Sequence, residues 1–407
     1  MKLFAPRLSV LALLAGLLLS SPALRAQTPA PAPGTTVSGT IVSGGLTREY
    51  RVYVPAAYRA GTPVPLLFNL HGFGSNNVEQ ENYGDFRPIA DTANFIVVHP
   101  NGVASAFGRG WNVVTNTLST VDDVAFISDL LTDLRSKYSI NPNRVYSTGM
   151  SNGGYMSFEL ACRLSNRIAA VASVTGSMAT ERLSNPALCT PQHPTPVLQI
   201  HGTADTTVPY GGGLSLGVVP TASIPAVLEY WRAFNGAAAT PVITALENKS
   251  TADNSTVERF VWTGGRNGSV VQHLKITGGG HTWPGTAFTQ GGSGATNMDI
   301  NASVEIWRFL RRQHLNLLLS ARTAAASVGL SVAPNPAGPD GQVLVRAGRA
   351  LRPAQVRLFD QLGRRQPVAA VAGPDGTVQL DLGTVSSGVY LLQVELNGRR
   401  YQQKLVR

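Results

Sequence analysis

The chain has 407 residues, of which 43% are hydrophobic and 14% charged. That length exceeds one ordinary domain and that composition can bury a sizeable core, so two folded units are expected and general disorder is excluded. The net charge of +10 does not mark a nucleic-acid binder: residues 1–26 hold three basic groups and no acid, residues 326–407 hold ten basic against five acidic, and the body between them is nearly balanced, with no basic stripe.

At the N-terminus Lys2 and Arg7 precede an apolar run from Val10 to Leu19, followed by small residues. The run is about ten residues long, too short for a membrane span and right for an export signal. Cleavage is expected after Ala26, with Ala23 as the alternative. No later stretch approaches the roughly 18 apolar residues of a spanning helix, so no stable membrane span is expected. Residues 27–35 read as a Pro/Ala linker.

Strands are predicted next, at Tyr50–Val54, Leu66–Leu70 and Phe95–Val98, the last two nearly continuous apolar runs like strands buried on both faces. Val124, Ile127, Leu131 and Leu134 recur at helical spacing, with Thr120 and Asp123 as a capping box and Asp122 as a further cap. Val145–Ser147 is a strand, Asn152–Leu164 a helix and Val197–Ile200 a strand. Helices are expected at Ile224–Phe234 and Ala302–His314, with a strand at His273–Thr277 between them. Alternating buried strands and amphipathic helices predict a parallel sheet covered on both sides. From Val328 the chain turns into short strands, at Gln342–Arg346, Gln355–Phe359, Val378–Leu382, Val389–Leu396 and Arg400–Val406, punctuated by Gly341, Gly363, Gly376, Gly388 and Gly398. That pattern predicts a small antiparallel β-sandwich. The implied organisation is a signal peptide at 1–26, a linker at 27–35, a catalytic unit at 36–318, a linker at 319–329 and a sandwich at 330–407.

Gly149-Met150-Ser151-Asn152-Gly153 fits G-x-S-x-G, after a strand and opening a helix. The motif has a steric logic: glycines two residues either side of the serine let strand and helix approach, and the serine is held on a sharp turn at the helix N-terminus. A serine hydroxyl needs a base, and the base an orienting acid. In the α/β-hydrolase order Ser, Asp, His, the acid is Asp205 in His201-Gly202-Thr203-Ala204-Asp205, just past a buried strand. The base is His281 on the glycine-rich loop Gly278–Pro284. The competitors are poorer. His193 lies before its strand, His201 ends a buried strand as a structural hydrogen-bonder, His314 follows the last helix, and Asp253 sits in a polar loop. Two oxyanion donors are expected, the backbone N–H groups of Asn152 and of Phe73 in Leu70–Gly74. Trp111 and Trp283 are candidate walls of the substrate pocket. Cys162 and Cys189 can close a disulfide in an oxidising compartment, which would stabilise the fold by roughly 3.5 kcal/mol in the chain-entropy model, or stay as two buried thiols. No metal-ligand pattern and no nucleotide loop occurs, so neither metal nor cofactor is implied.

Leu70–Gly74, Gly110-Trp111-Asn112, Val121–Ile127, Gly149–Gly154, His201–Asp205 with Val208-Pro209-Tyr210, and Gly279–Gly285 follow in order. Together they resemble the polyhydroxybutyrate depolymerase-like esterases, which overlap the feruloyl and acetylxylan esterases of carbohydrate esterase family one. The resemblance covers residues 36–315 and implies an α/β-hydrolase with a mainly parallel sheet, a Ser151–His281–Asp205 acyl-enzyme mechanism, and a carboxylic-ester substrate. Acetyl or feruloyl esters on plant polysaccharide are the first expectation, a polyhydroxybutyrate polyester the second, and a non-catalytic surface binding protein the rival of another class. The tail, through Leu330–Pro336, Val356–Gly363, Leu382–Leu391 and a basic C-terminus, resembles a type IX secretion sorting domain. It implies secretion machinery as a partner and an extracellular or cell-surface destination. A sugar-binding sandwich fits less well, because the tail has no Trp and only Tyr390 and Tyr401 to stack on a sugar.

Overall fold

The structure, a computed structural model, describes residues 33–106, 108–113, 120–215, 219–287, 289, 291–315, 328–360, 364–396 and 399–407. The expected signal peptide and most of both linkers lie outside these residues.

The first described elements form a hairpin of β1 (Thr35–Ser43) and β2 (Leu46–Val54). Its turn is Gly44-Gly45, with φ of +57° and +77°, the left-handed pair that a two-residue hairpin loop demands. β3 (Val64–Leu70) is buried at every position, as a strand flanked on both sides and covered on both faces must be. Two short helices, α1 (Asn77–Tyr83) and α2 (Arg87–Ala93), lead to β4 (Ile96–Pro100). A small ribbon, β5 (Val103–Ser105) with β6 (Gly108–Gly110), follows.

Helix α3 (Asp123–Lys137) is capped by Asp122, whose side chain accepts from the Ala125 N–H. The Thr120–Asp123 box expected from the sequence does not form. Asp123 instead turns inward to a buried ion pair with Arg48 at 2.6 Å and accepts from the Asn112 N–H at 2.8 Å. Burial raises the Asp123 pKa while Arg48 and the Asn112 amide pull it back, leaving it raised.

β7 (Ile140–Met150), α4 (Asn152–Arg163), β8 (Ala170–Val174), α5 (Thr180–Ser184) and β9 (Val197–Gly202) come next. A second ribbon, β10 (Gly213–Ser215) with β11 (Val219–Thr221), precedes α6 (Ile224–Asn235). β12 (Val242–Ala245), β13 (Thr256–Trp262), β14 (Val271–Thr277) and α7 (Ala302–Leu310) complete this part. The ten-stranded sheet runs β1-β2-β4-β3-β7-β8-β9-β14-β13-β12. The six strands from β4 to β14 are mutually parallel, and both edges are antiparallel. Strand direction of side chains splits the core. Leu66 and Phe68 point to one layer with Phe126, Phe158 and Trp231, and Leu67 points to the other with Phe86, Phe95 and Trp307. Truncating a fully buried ring such as Phe126 to Ala would cost about 3–5 kcal/mol. The strand order reverses around β3 and β7, so the crevice outside their carboxyl ends is where a ligand is expected.

Cys162 at the end of α4 is bonded to Cys189, with Cα atoms 4.4 Å apart. Among the described residues no helix is long and apolar enough to cross a membrane.

The C-terminal part is two antiparallel sheets. One is β15 (Ser331–Ala333), β16 (Gln342–Arg346), β20 (Val378–Asp381) and β19 (Ala369–Ala372); the other is β18 (Arg365–Gln366), β17 (Val356–Phe359), β21 (Val389–Leu396) and β22 (Arg399–Val406). Val345, Leu358, Leu380, Leu392 and Leu405 form a core of their own.

Candidate active site

Ser151 is held where the sequence motif requires. It joins β7 to α4 at φ 52°, ψ −120°, a conformation that costs a non-glycine residue about 1–3 kcal/mol and persists only where the surroundings enforce it. They do so on both sides. A Cβ at Gly149 would lie 2.5 Å from the Leu70 carbonyl, and one at Gly153 only 2.1 Å from the same oxygen. The Ser151 N–H donates to Val174 O at 2.8 Å, and its carbonyl accepts from the Gly154 and Tyr155 N–H groups. Ser151 is 8% exposed.

The expected acid and base meet in a hydrogen bond. His281 Nδ1 stands 2.8 Å from Asp205 Oδ2. Their loops are zipped together: the Ala204 N–H donates to Gly279 O at 2.9 Å. A Cβ at Gly202 would meet that carbonyl at 2.1 Å, so close approach is what demands glycine there. The far side of the His281 loop is fixed by reciprocal bonds with Ser293. Asp205 Oδ1 accepts from the Thr207 and Val208 N–H groups at 2.9 and 2.8 Å. Burial alone would raise the Asp205 pKa, but hydrogen bonds from His201 and His281, and the charge those rings can carry, overcome it and hold it well below the usual carboxylate range. Ser151, Asp205 and His281 follow the carboxyl ends of β7, β9 and β14, with only β8 lying between β7 and β9. At a strand spacing of about 4.8 Å, all three emerge along roughly 15 Å of one sheet edge.

The loop expected to supply an oxyanion donor is built from side chains as well as glycines. His71, fully buried, has Nδ1 2.8 Å from Gly72 O, and its Nε2 accepts from the Gly102 N–H at 3.0 Å. Gly72 O also accepts from the Ser75 N–H at 3.2 Å. A trans peptide holds its C=O and N–H antiparallel, so drawing Gly72 O toward His71 turns the Phe73 N–H the opposite way. Among the described residues, neither the Phe73 N–H nor the Asn152 N–H has a protein acceptor. Burial pulls the His71 pKa down to about 4, which preserves the Nε2 lone pair that accepts from Gly102. Phe73 is 43% exposed.

Neither tryptophan forms an open wall. Trp111 is 5% exposed, its indole N–H donating to His71 O at 2.9 Å, and its backbone N–H and carbonyl are both bound by the Asn152 amide. It is therefore a brace between the His71–Phe73 loop and Asn152. Trp283 is 1% exposed, packs against Tyr83 and Phe86 and donates to Ser303 Oγ. The expectation of a pocket wall gives way, for both, to a place in the core. The braces His71 and the Asn152 side chain had no signal in the local sequence beyond the motifs that contain them. His201 is the buried hydrogen-bonder expected, with Val208 O at 2.9 Å. His193 is tied to Ser165 O, His314 is exposed, and Asp253 accepts from the Met298 N–H.

A phospholipase/carboxylesterase family model matches residues 62–224, which include Ser151 and Asp205. A secretion system C-terminal sorting domain model matches residues 331–407. The chain is 31% identical over 271 residues to a protein bearing the name esterase NocK from Nocardia uniformis subsp. tsuyamanensis, covering 63% of this chain and 76% of that one. It is 29% identical over 238 residues to Feruloyl esterase B of Piromyces equi, covering 58% and 42% of the two chains. With the bifunctional acetylxylan esterase/xylanase XynS20E of Neocallimastix patriciarum the identity is 26% over 247 residues, covering 60% and 32%. The chain thus spans less than half the length of these last two. It belongs to the phospholipase/carboxylesterase family of the α/β-hydrolase fold, a secreted serine hydrolase of carboxylic esters that is related to feruloyl and acetylxylan esterases and carries a C-terminal sorting domain.

Proposed function

We propose that Ser151 is the nucleophile, His281 the general base and Asp205 the acid that orients it, in two-step acyl transfer. The Ser151 hydroxyl attacks the ester carbonyl while its proton passes to His281. The oxyanion is met by the Phe73 and Asn152 N–H groups, each worth about 2.7–4 kcal/mol of transition-state stabilisation. Collapse expels the alcohol, which takes the proton from His281. Water, deprotonated by the same imidazole, then attacks the acyl-enzyme and releases the acid. The observation that carries this reading is the 2.8 Å bond from His281 Nδ1 to a buried carboxylate at the edge that also bears Ser151.

The substrate we propose is an acetyl or feruloyl ester on plant polysaccharide, a reading supported by the names of the feruloyl and acetylxylan esterase relatives. Residues 36–318 would form the enzyme and residues 330–407 the sorting unit that takes it to the cell surface or medium, after a leader at 1–26 is removed. The test is hydrolysis of methyl ferulate, acetylated xylan and polyhydroxybutyrate by the wild type and by Ser151→Ala. Turnover of the first two by wild type only is expected; full activity in Ser151→Ala refutes the mechanism, and turnover of the polyester alone refutes the substrate.

A further inference from the structure

His201 takes no part in the acyl-transfer scheme, yet it touches the same carboxylate. It lies at the end of β9 and is fully buried. Its Nε2 faces two acceptors, Val208 O at 2.9 Å and Asp205 Oδ2 at 3.3 Å. Its Nδ1 faces the Gln199 amide nitrogen at 3.0 Å, and that nitrogen also donates to Gly176 O at 2.9 Å. An amide nitrogen against a carbonyl can only be a donor, so His201 Nδ1 accepts and the ring proton sits on Nε2. Among the described residues Gln199 Oε1 has no partner, which fits an amide oriented for its nitrogen alone. On the other side Tyr210 packs edge-on to the ring and bonds His273 Nε2 at 3.0 Å. His273 Nδ1 in turn lies 3.0 Å from Gln199 O.

We infer that His201 is a positioning residue that fastens the Asp205 loop to the central sheet; this rests on Asp205 being the acid of the triad. The two N–H groups on Oδ1 belong to the same loop as Asp205 and would travel with it. His201 belongs to a strand paired on both sides, and its one proton engages both the oxygen that faces His281 and the carbonyl of Val208, whose amide holds Oδ1. A site anchored on a strand keeps its geometry better than one held within a loop. The chain of bonds continues through Gln199 to Gly176, which lies so close to the nucleophile turn that a Cβ there would be 2.7 Å from Ser151 O. The hydrogen bonds that support Asp205 thus run as far as Gly176, which packs directly against the turn that carries Ser151.

The test compares His201→Leu, which removes the donor, with His201→Gln, whose amide nitrogen reaches the position of Nε2. His201→Asn, whose shorter amide places no donor at the position of Nε2, is a second variant should Leu fail to fold. On p-nitrophenyl acetate, Leu and Asn are expected to lower kcat about 10- to 100-fold with little change in KM, and Gln to recover most of the loss. In an Asp205→Asn background the Leu substitution should have little further effect. Equal loss in Gln and Leu, a wild-type kcat in Leu, or an undiminished Leu effect in the Asp205→Asn background would each overturn the inference. A wild-type kcat in Asp205→Asn alone would overturn it too, and would identify the acid assignment as what had failed.

Discussion

Replacing Gly153 by Ala probes the turn on which the proposed nucleophile depends. The new methyl would lie 2.1 Å from Leu70 O and 2.7 Å from His71 O, where ordinary van der Waals contact begins at 3.4 Å. The Leu70 carbonyl ends β3, which is paired to β4 on one side and β7 on the other, and the His71 carbonyl just after it is held by the Trp111 indole, so neither can retreat. The start of α4 must therefore move by about 1 Å, carrying Ser151 away from the Phe73 N–H. A displacement of that size costs on the order of 100-fold in rate. Overpacking costs about 1–3 kcal/mol, against which the better helix propensity of Ala returns no more than about 1 kcal/mol. Gly72→Ala is the matched control, because its methyl would meet the Ser151 Cβ at 3.4 Å; its urea midpoint should stay near that of the wild type. The assay is kcat/KM on p-nitrophenyl acetate with urea unfolding of each variant. Wild-type rate and an unchanged midpoint in Gly153→Ala would refute the steric argument.

Three further outcomes are expected. Cys162→Ser with Cys189→Ser opens a loop of 27-residue separation and should lower unfolding stability by about 3.5 kcal/mol; a loss under about 1 kcal/mol in urea would contradict this. Glu159 is buried against Arg182 at 2.6 Å, and burial outweighs the guanidinium to push its pKa up to about 7. A carboxyl raised when folded holds its proton longer than the unfolded chain does, so stability should fall as pH rises from about 4.5 to 7. Tm measured across that window should fall for wild type relative to Glu159→Gln, and parallel curves would count against it. Asp205 has the opposite sign: its depressed pKa gives stability present above about pH 4 and lost as pH drops toward the folded value. Asp205→Asn should therefore show a shallower loss of stability below pH 4, and an unchanged acid slope would be the contrary result.

What the sequence made legible follows from how local each determinant is. The turn at Ser151 could be read because its glycines, its strand and its helix are neighbours in the chain. The helix-bearing face of α3 and the buried run Leu66–Leu70 could be read from periodicity and unbroken hydrophobicity. β8 escaped because Ala170-Val171-Ala172-Ser173-Val174 is mostly small residues with little strand preference; it is a strand because β7 and β9 grip it. β1, mostly polar and half exposed, and the seven-residue helices α1 and α2 carry too short or too weak a pattern. The braces of the site were invisible for another reason. Asn152 holds Trp111 across 41 residues, His71 meets Gly102 across 31, and Arg48 reaches Asp123 across 75. Such pairings exist only once the sheet has brought the loops together. Trp111 and Trp283 were misplaced for the same reason, since an indole near a motif in sequence can face the pocket or the core with equal ease.

The most direct test of the proposed triad is covalent. Treating the wild type with a fluorophosphonate and mapping the adduct by peptide mass spectrometry should find one modified residue, Ser151, with labelling slowed by orders of magnitude in His281→Ala and absent in Ser151→Ala. An adduct on another residue, or labelling of Ser151 that does not depend on His281, would contradict the account.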